Sequence, residues 1–289
     1  MKWEGNRESD NVEDRRGSGG GGGGIGGRSI GIGTVVIALV ASYFFGVSPG
    51  TVINVLSGGG PAPTSSQGPA TAPPADDKEA RFVSTVLADT EDTWSAIFQK
   101  AGQTYAKPRL VLFSGRTQTA CGTGQTASGP FYCPGDQKIY IDLTFYRMMQ
   151  ERYRVSGEFA QAYVIAHEVG HHVQNLMGIM AKADQIRGSG SQTQANAMSV
   201  RMELQADCFA GVWAKNADKA RSILENGDVE AALNAATAIG DDALQKQAQG
   251  YVVPDSFTHG SSAQRVRWFK RGLESGQVSA CNTFDAKAL

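Results

Sequence analysis

From residue 77 to residue 100, Phe82, Val86, Leu87, Trp94, Ile97 and Phe98 recur at helical intervals, which predicts an amphipathic helix. The pattern then shortens. Arg109 to Phe113 reads as a strand. Phe131 to Cys133 and Lys138 to Asp142 read as the two arms of a hairpin, turned by Pro134-Gly135-Asp136-Gln137. From Leu143 onward helical spacing dominates, broken by the Gly188 to Thr193 loop, by Gly227 and by Gly250. One helix carries the stripe Phe159, Ala162, Tyr163, Ala166, Gly170, Val173 and Met177, and a second spans Ala195 to Lys215. Ser261 with Gln264 makes a capping box that starts a last helix. Strands first and helices later predict an α+β fold: a small N-terminal sheet with a mostly helical remainder.

The first 75 residues follow neither pattern. Residues 1–29 are polar, with five basic and five acidic side chains, and run into six consecutive glycines at Gly19 to Gly24. They read as a flexible arm. Residues 30–47 form an 18-residue, mostly apolar run with Tyr43, Phe44 and Phe45 near its end, which predicts a single transmembrane anchor. Residues 48–75 hold six of the ten prolines and read as a solvated linker. Residues 76–289 are left as the folded domain. The basic residues near the anchor lie on its N-terminal side, so the positive-inside rule predicts a single-pass inner-membrane protein. Its N-terminus would be cytoplasmic and its main domain extracytoplasmic, or periplasmic.

Composition narrows the function. There are 27 basic against 28 acidic residues in 289, and a net charge of -1 leaves no surplus for phosphate backbones, so nucleic acid is not an expected partner. Four cysteines in an exported domain suggest two disulfides, for which three pairings exist. Cys121 and Cys133 bracket a Gly-rich loop and can close it, which would leave Cys208 to Cys281.

Three of the four histidines fall within six residues, in Ala166-His167-Glu168-Val169-Gly170-His171-His172. On a helix, His167 and His171 lie four apart on one face, so two imidazoles reach one ion. Glu168 stands beside that ion, where a carboxylate can take a proton from water. Gly170 lets another element approach, and His172 is turned about 100° from His171, away from the ligands. A zinc that activates water needs a third protein ligand and an open position. Glu203, in Glu203-Leu204-Gln205-Ala206-Asp207, is the candidate, and Asp207 can accept the outer N–H of a ligand histidine.

His-Glu-Val-Gly-His-His-Val-Gln followed by a Glu-x-x-x-Asp helix resembles the gluzincin zinc peptidases. Combined with an N-terminal anchor, it resembles the bacterial family of neutral zinc metallopeptidases. That resemblance implies a zincin-like metalloprotease domain with one zinc ion and a peptide or protein substrate. It also implies that His259 steadies the oxyanion of the tetrahedral intermediate, and that Arg265 pairs with a carboxylate such as Asp207. Zincin folds further hold substrate along an edge strand, for which Phe131–Cys133 and Lys138–Asp142 are both candidates.

The expected function is therefore zinc-dependent peptide hydrolysis by a metalloprotease. His167, His171 and Glu203 are the metal ligands, and Glu168 and His259 the catalytic side chains. Three other readings compete: a non-catalytic envelope protein with a structural zinc, a zinc amidase acting on cell-wall material, and a peptide-binding module.

Overall fold

The computed structural model describes residues 1–17, 71–126 and 129–289. Its sheet contains β1 (Val12–Asp14), β2 (Arg109–Phe113), β5 (Phe131–Cys133) and β6 (Lys138–Asp142) in the order β1-β2-β6-β5. β1, β2 and β6 run parallel, and β5 is antiparallel to β6 with Tyr132 opposite Ile139. A two-stranded hairpin of β3 (Arg116–Thr119) and β4 (Gly122–Gln125) is separate. The helices are α1 (Lys78–Lys100), α2 (Thr144–Tyr153), α3 (Glu158–Leu176), α4 (Ile179–Ser189), α5 (Gln192–Arg221), α6 (Asp228–Ala238), α7 (Asp241–Gln249) and α8 (Ser262–Ser275).

Strand alternation divides the sheet's side chains between two faces. Leu110, Leu112, Tyr132, Ile139 and Ile141 join the main helical core, while Val111, Phe113, Cys133 and Tyr140 form a smaller cluster with Phe131 on the other face. The hairpin lies against that second cluster, since a Cβ at Gly124 would sit 2.5 Å from the Phe131 ring.

The ends of the helices follow from local chemistry. Asp77 caps α1 by accepting from the Ala80 amide at 3.0 Å, and capping boxes at Ser191/Gln194 and Ser261/Gln264 open α5 and α8. α3 begins after Gly157, whose φ of 110° suits only glycine, and a Cβ there would also touch Ala231 of α6 at 3.3 Å. α5 and α8 approach backbone to backbone through Gly211 and Gly272. α3 meets α5 where a Cβ on Gly170 would lie 3.0 Å from the Ala206 carbonyl. Trp213 Nε1 donates to Asp89 Oδ1 at 2.7 Å and ties α5 to α1. Disulfides join Cys121 to Cys133 and Cys208 to Cys281, so the hairpin is bonded to β5 and the C-terminal segment to α5.

The N-terminal residues differ from the flexible arm that their polarity suggests. β1 pairs with β2, Trp3 packs edge-on against Phe82, and buried Glu91 accepts from Arg7, Ser9 and Asn11. Met1–Gly17 and Thr71–Leu289 form one compact unit.

This arrangement corrects the expectation of a preceding transmembrane helix. Residues 30–47 lie outside the described residues, and no helix among the described residues is long and apolar enough to cross a membrane. One crossing between residues 17 and 71 would put β1 and β2 on opposite sides of a bilayer, whereas they are hydrogen-bonded neighbours in one sheet. The single-pass inner-membrane location, and a membrane partner reached through one helix, are corrected with it.

Candidate metal centre

α3 carries His167 and His171 on the face turned towards α5, with Glu168 beside them, and α5 presents Glu203 and Asp207 one turn apart. His167 Nε2 lies 3.1 Å from Glu203 Oε2, and His171 Nε2 lies 3.3 Å from Glu203 Oε1. One ligand atom from each of the three residues falls within 4.8 Å of the others. The close helix contact at Gly170 permits this convergence, because a side chain there would push α5 and Glu203 away.

The outer ring nitrogens decide which atoms face inward. His167 Nδ1 is 2.8 Å from Asp207 Oδ1, and an ionised carboxylate only accepts, so Nδ1 keeps its proton and Nε2, whose own proton is shared with Glu203, is the nitrogen that can give that proton up and ligate. His171 Nδ1 is 2.9 Å from Gln174 Oε1. The Gln174 amide is oriented by donating to the Met202 carbonyl at 2.7 Å and to Gln205 Oε1 at 3.1 Å. Asp207, fully buried, also accepts from Tyr163 and, at 2.9 Å each, from Nε and Nη2 of buried Arg265.

The electrostatics are those of a site built for a cation. Burial opposes a charged ring at His167, yet Asp207 and Glu203 push its pKa up to about 10. Burial would raise Glu203, but His171 and His167 hold it well below the usual carboxylate range. Asp207 is likewise held down against burial by Arg265 and His167. Without an ion, the two carboxylates recruit protons onto the imidazoles. Two neutral nitrogens and a carboxylate oxygen are the donor set that zinc accepts, so the residues fit that metal. Glu168 differs, because burial drives its pKa upward despite the histidines nearby.

His167, Glu168, His171 and Glu203 line a cavity of about 640 Å³ whose wall also includes Phe131 and Tyr132 of β5 and His259. Asp241 Oδ2 accepts from the backbone amides of Thr258, His259 and Gly260 at 2.7, 2.6 and 3.0 Å, and its Oδ1 lies 3.2 Å from His259 Nδ1. That hydrogen bond raises the His259 pKa, against burial. All the residues singled out in the sequence for the site, from His167 to Arg265, are thus brought to one place. Tyr163, Gln174 and Asp241 were missed. Tyr163 stands one turn before His167 and Gln174 three residues after His171, positions that read as core or surface. Asp241 is 18 residues from His259, with nothing local to link them. Of the two candidate strands, β6 is interior to the sheet, while β5 is at its edge among the described residues and contributes Phe131 and Tyr132 to the cavity wall.

A family model described as "Putative neutral zinc metallopeptidase" matches residues 1–284. The chain is 52% identical over 290 residues to "Uncharacterized protein YpfJ" of Escherichia coli K12, covering 98% of this chain and 99% of that one. It is 41% identical over 219 residues to "Uncharacterized protein Rv2575" of Mycobacterium tuberculosis H37Rv, covering 72% and 73% of the two chains. "Uncharacterized protein Mb2605" of Mycobacterium bovis is similar to the same extent. No solved structure matches the chain.

Proposed function

The chain belongs to the neutral zinc metallopeptidase family, and from that premise we propose that it hydrolyses peptide bonds with a water activated between the ligand cluster and Glu168. One observation carries the reading: two imidazole nitrogens and one carboxylate converge, with Glu168 beside them, on a cavity large enough for a peptide.

His167, His171 and Glu203 would hold the metal. Bound there, zinc supplies a Lewis acid that brings the pKa of a coordinated water near neutrality. Glu168 accepts the proton of the attacking water and delivers it to the leaving amine. Its raised pKa suits both halves of that task, because a carboxyl that is too acidic returns no proton. His259, held by Asp241, donates to the oxygen that becomes negative as the carbonyl is attacked. Asp207 keeps His167 in the ligating tautomer, and Arg265 keeps Asp207 ionised. The free edge of β5 offers backbone groups to an extended substrate.

A purely structural zinc site would fill the fourth position with protein and would have no use for a buried carboxylate facing a cavity. The decisive experiment uses the whole chain, since β1 belongs to the folded unit. Zinc content and cleavage of a denatured protein are measured for the native sequence and for Glu168→Gln. We expect one zinc in both, and cleavage at least a thousandfold slower in the variant. Zinc in both with cleavage in neither would refute the peptidase reading. Release of cell-wall fragments in place of peptides would favour the amidase.

A further inference from the structure

His172 follows a metal ligand directly but is turned about 100° from it on the helix, and the chain of contacts that it makes has no part in holding the ion. Its Nε2 lies 2.6 Å from the Ala106 carbonyl, so that nitrogen carries the proton. Nδ1, left as an acceptor, lies 3.0 Å from the Tyr132 hydroxyl, which in turn accepts from Asn175 Nδ2 at 2.9 Å. Each donor and acceptor in the series Asn175, Tyr132, His172, Ala106 is thereby assigned. The ring is fully buried, edge-on to both Tyr105 and Tyr132.

Tyr132 is the one β5 residue whose side chain enters the main core, since Phe131 and Cys133 belong to the opposite face. The attachment of the edge strand to α3 through polar contacts therefore runs through a single hydroxyl. On α3, residue 171 faces the metal cluster and residue 172, about 100° further round, holds the strand.

We propose that His172, Tyr132 and Asn175 form a positioning clamp that sets the height and register of β5 over the metal cluster. The clamp thereby governs how an extended polypeptide is presented to the reacting centre. This rests on the peptidase reading above. The clamp touches neither ion nor substrate bond. It acts on the substrate backbone through β5, so its contribution grows with the number of residues that pair with the strand. A dipeptide spanning only the scissile bond gains little from it, and a hexapeptide gains most.

The test compares the zinc-loaded full chain with Tyr132→Phe and Asn175→Ala, on a blocked hexapeptide and on a blocked dipeptide that shares its scissile bond. Tyr132→Phe keeps the ring in the core and removes only the hydroxyl, while Asn175 is only partly buried, and a melting curve checks that each variant is folded. The expected result is unchanged zinc content and a hexapeptide KM raised about tenfold in Tyr132→Phe and severalfold in Asn175→Ala. In Asn175→Ala, at a residue that does not line the cavity, kcat and dipeptide cleavage should stay within twofold of the native values, and in both variants the hexapeptide KM should rise severalfold more than the dipeptide KM. Equal losses on the two substrates would make these residues merely structural and overturn the clamp, as would loss of zinc or no change at all. If the native chain cleaves neither peptide, the peptidase reading falls first and takes the clamp with it.

Discussion

Replacing Asp207 by asparagine keeps the shape of the side chain and removes its charge, which separates two roles the structure gives it. The carboxylate accepts the His167 Nδ1 proton, two guanidinium bonds from Arg265 and the Tyr163 hydroxyl, all in a fully buried setting. An amide offers one oxygen where two were in use, and its NH2 faces donors. Arg265 then stays buried without its counter-charge, which costs about 3–5 kcal/mol. In a chain of this size each kcal/mol lowers Tm by about 2–4 °C, so the zinc-free variant should melt about 6–20 °C below the native protein. Loss of the partner that orients His167 should weaken zinc binding by about 10–100-fold, or about 1.4–2.7 kcal/mol. Calorimetry of the zinc-free and zinc-loaded forms, with a competing chelator for affinity, measures both. Asp184→Asn is the control, because Asp184 pairs with Arg187 at the surface and should change stability by less than about 1 kcal/mol. A Tm within 2 °C of native, or an unchanged zinc affinity, would refute the assignment of Asp207 as the group that holds both His167 and Arg265.

Two further outcomes follow from packing and charge elsewhere. Helix propensity alone would make Gly272→Ala stabilising by about 1 kcal/mol. Its Cβ would lie 1.9 Å from the Cys208 carbonyl oxygen, which belongs to backbone and cannot swing aside, so we expect urea unfolding to show a loss of about 2 kcal/mol or more. A stabilised variant would contradict the close packing of α5 and α8. Burial raises the pKa of Glu13, but Lys138, Arg15 and Arg109 overcome it and bring it from 4.5 to about 2. A depressed folded pKa stabilises above the ordinary value and is lost as pH falls through the folded one. Hydrogen-exchange protection of β1, corrected for intrinsic rates, should therefore drop between about pH 4.5 and 2, and Glu13→Gln should abolish that pH dependence. Protection that ignores pH in the native chain would remove Glu13 from the anchoring of β1.

Much of the centre is written locally. His167 and His171 share a face because they are four apart on a helix whose apolar stripe and length are evident, and Glu203 and Asp207 repeat that spacing on the next long helix. The capping box before Arg265 marks where α8 begins. Other features had misleading local signals. Val12-Glu13-Asp14 looks like part of a charged tail, yet Glu13 is neutralised by Arg109 and Lys138, 96 and 125 residues away. The apolar run at 30–47 suggested an anchor on length and flanks alone, criteria blind to β1 pairing with a strand beyond it.

The sequence by itself determined the helices, their caps, the donor types and the spacing that makes a metal ligand pair, since each depends on residues within about one helical turn. Only the tertiary structure decided that, among the described residues, β5 rather than β6 is at the sheet edge, that Gln174 and Asp241 orient two of the histidines, and that the first residues join the sheet. Those choices join groups whose separation along the chain carries no periodic signal. They are settled by which buried charge finds its counter-charge, and which backbone its neighbour, once the whole core has closed.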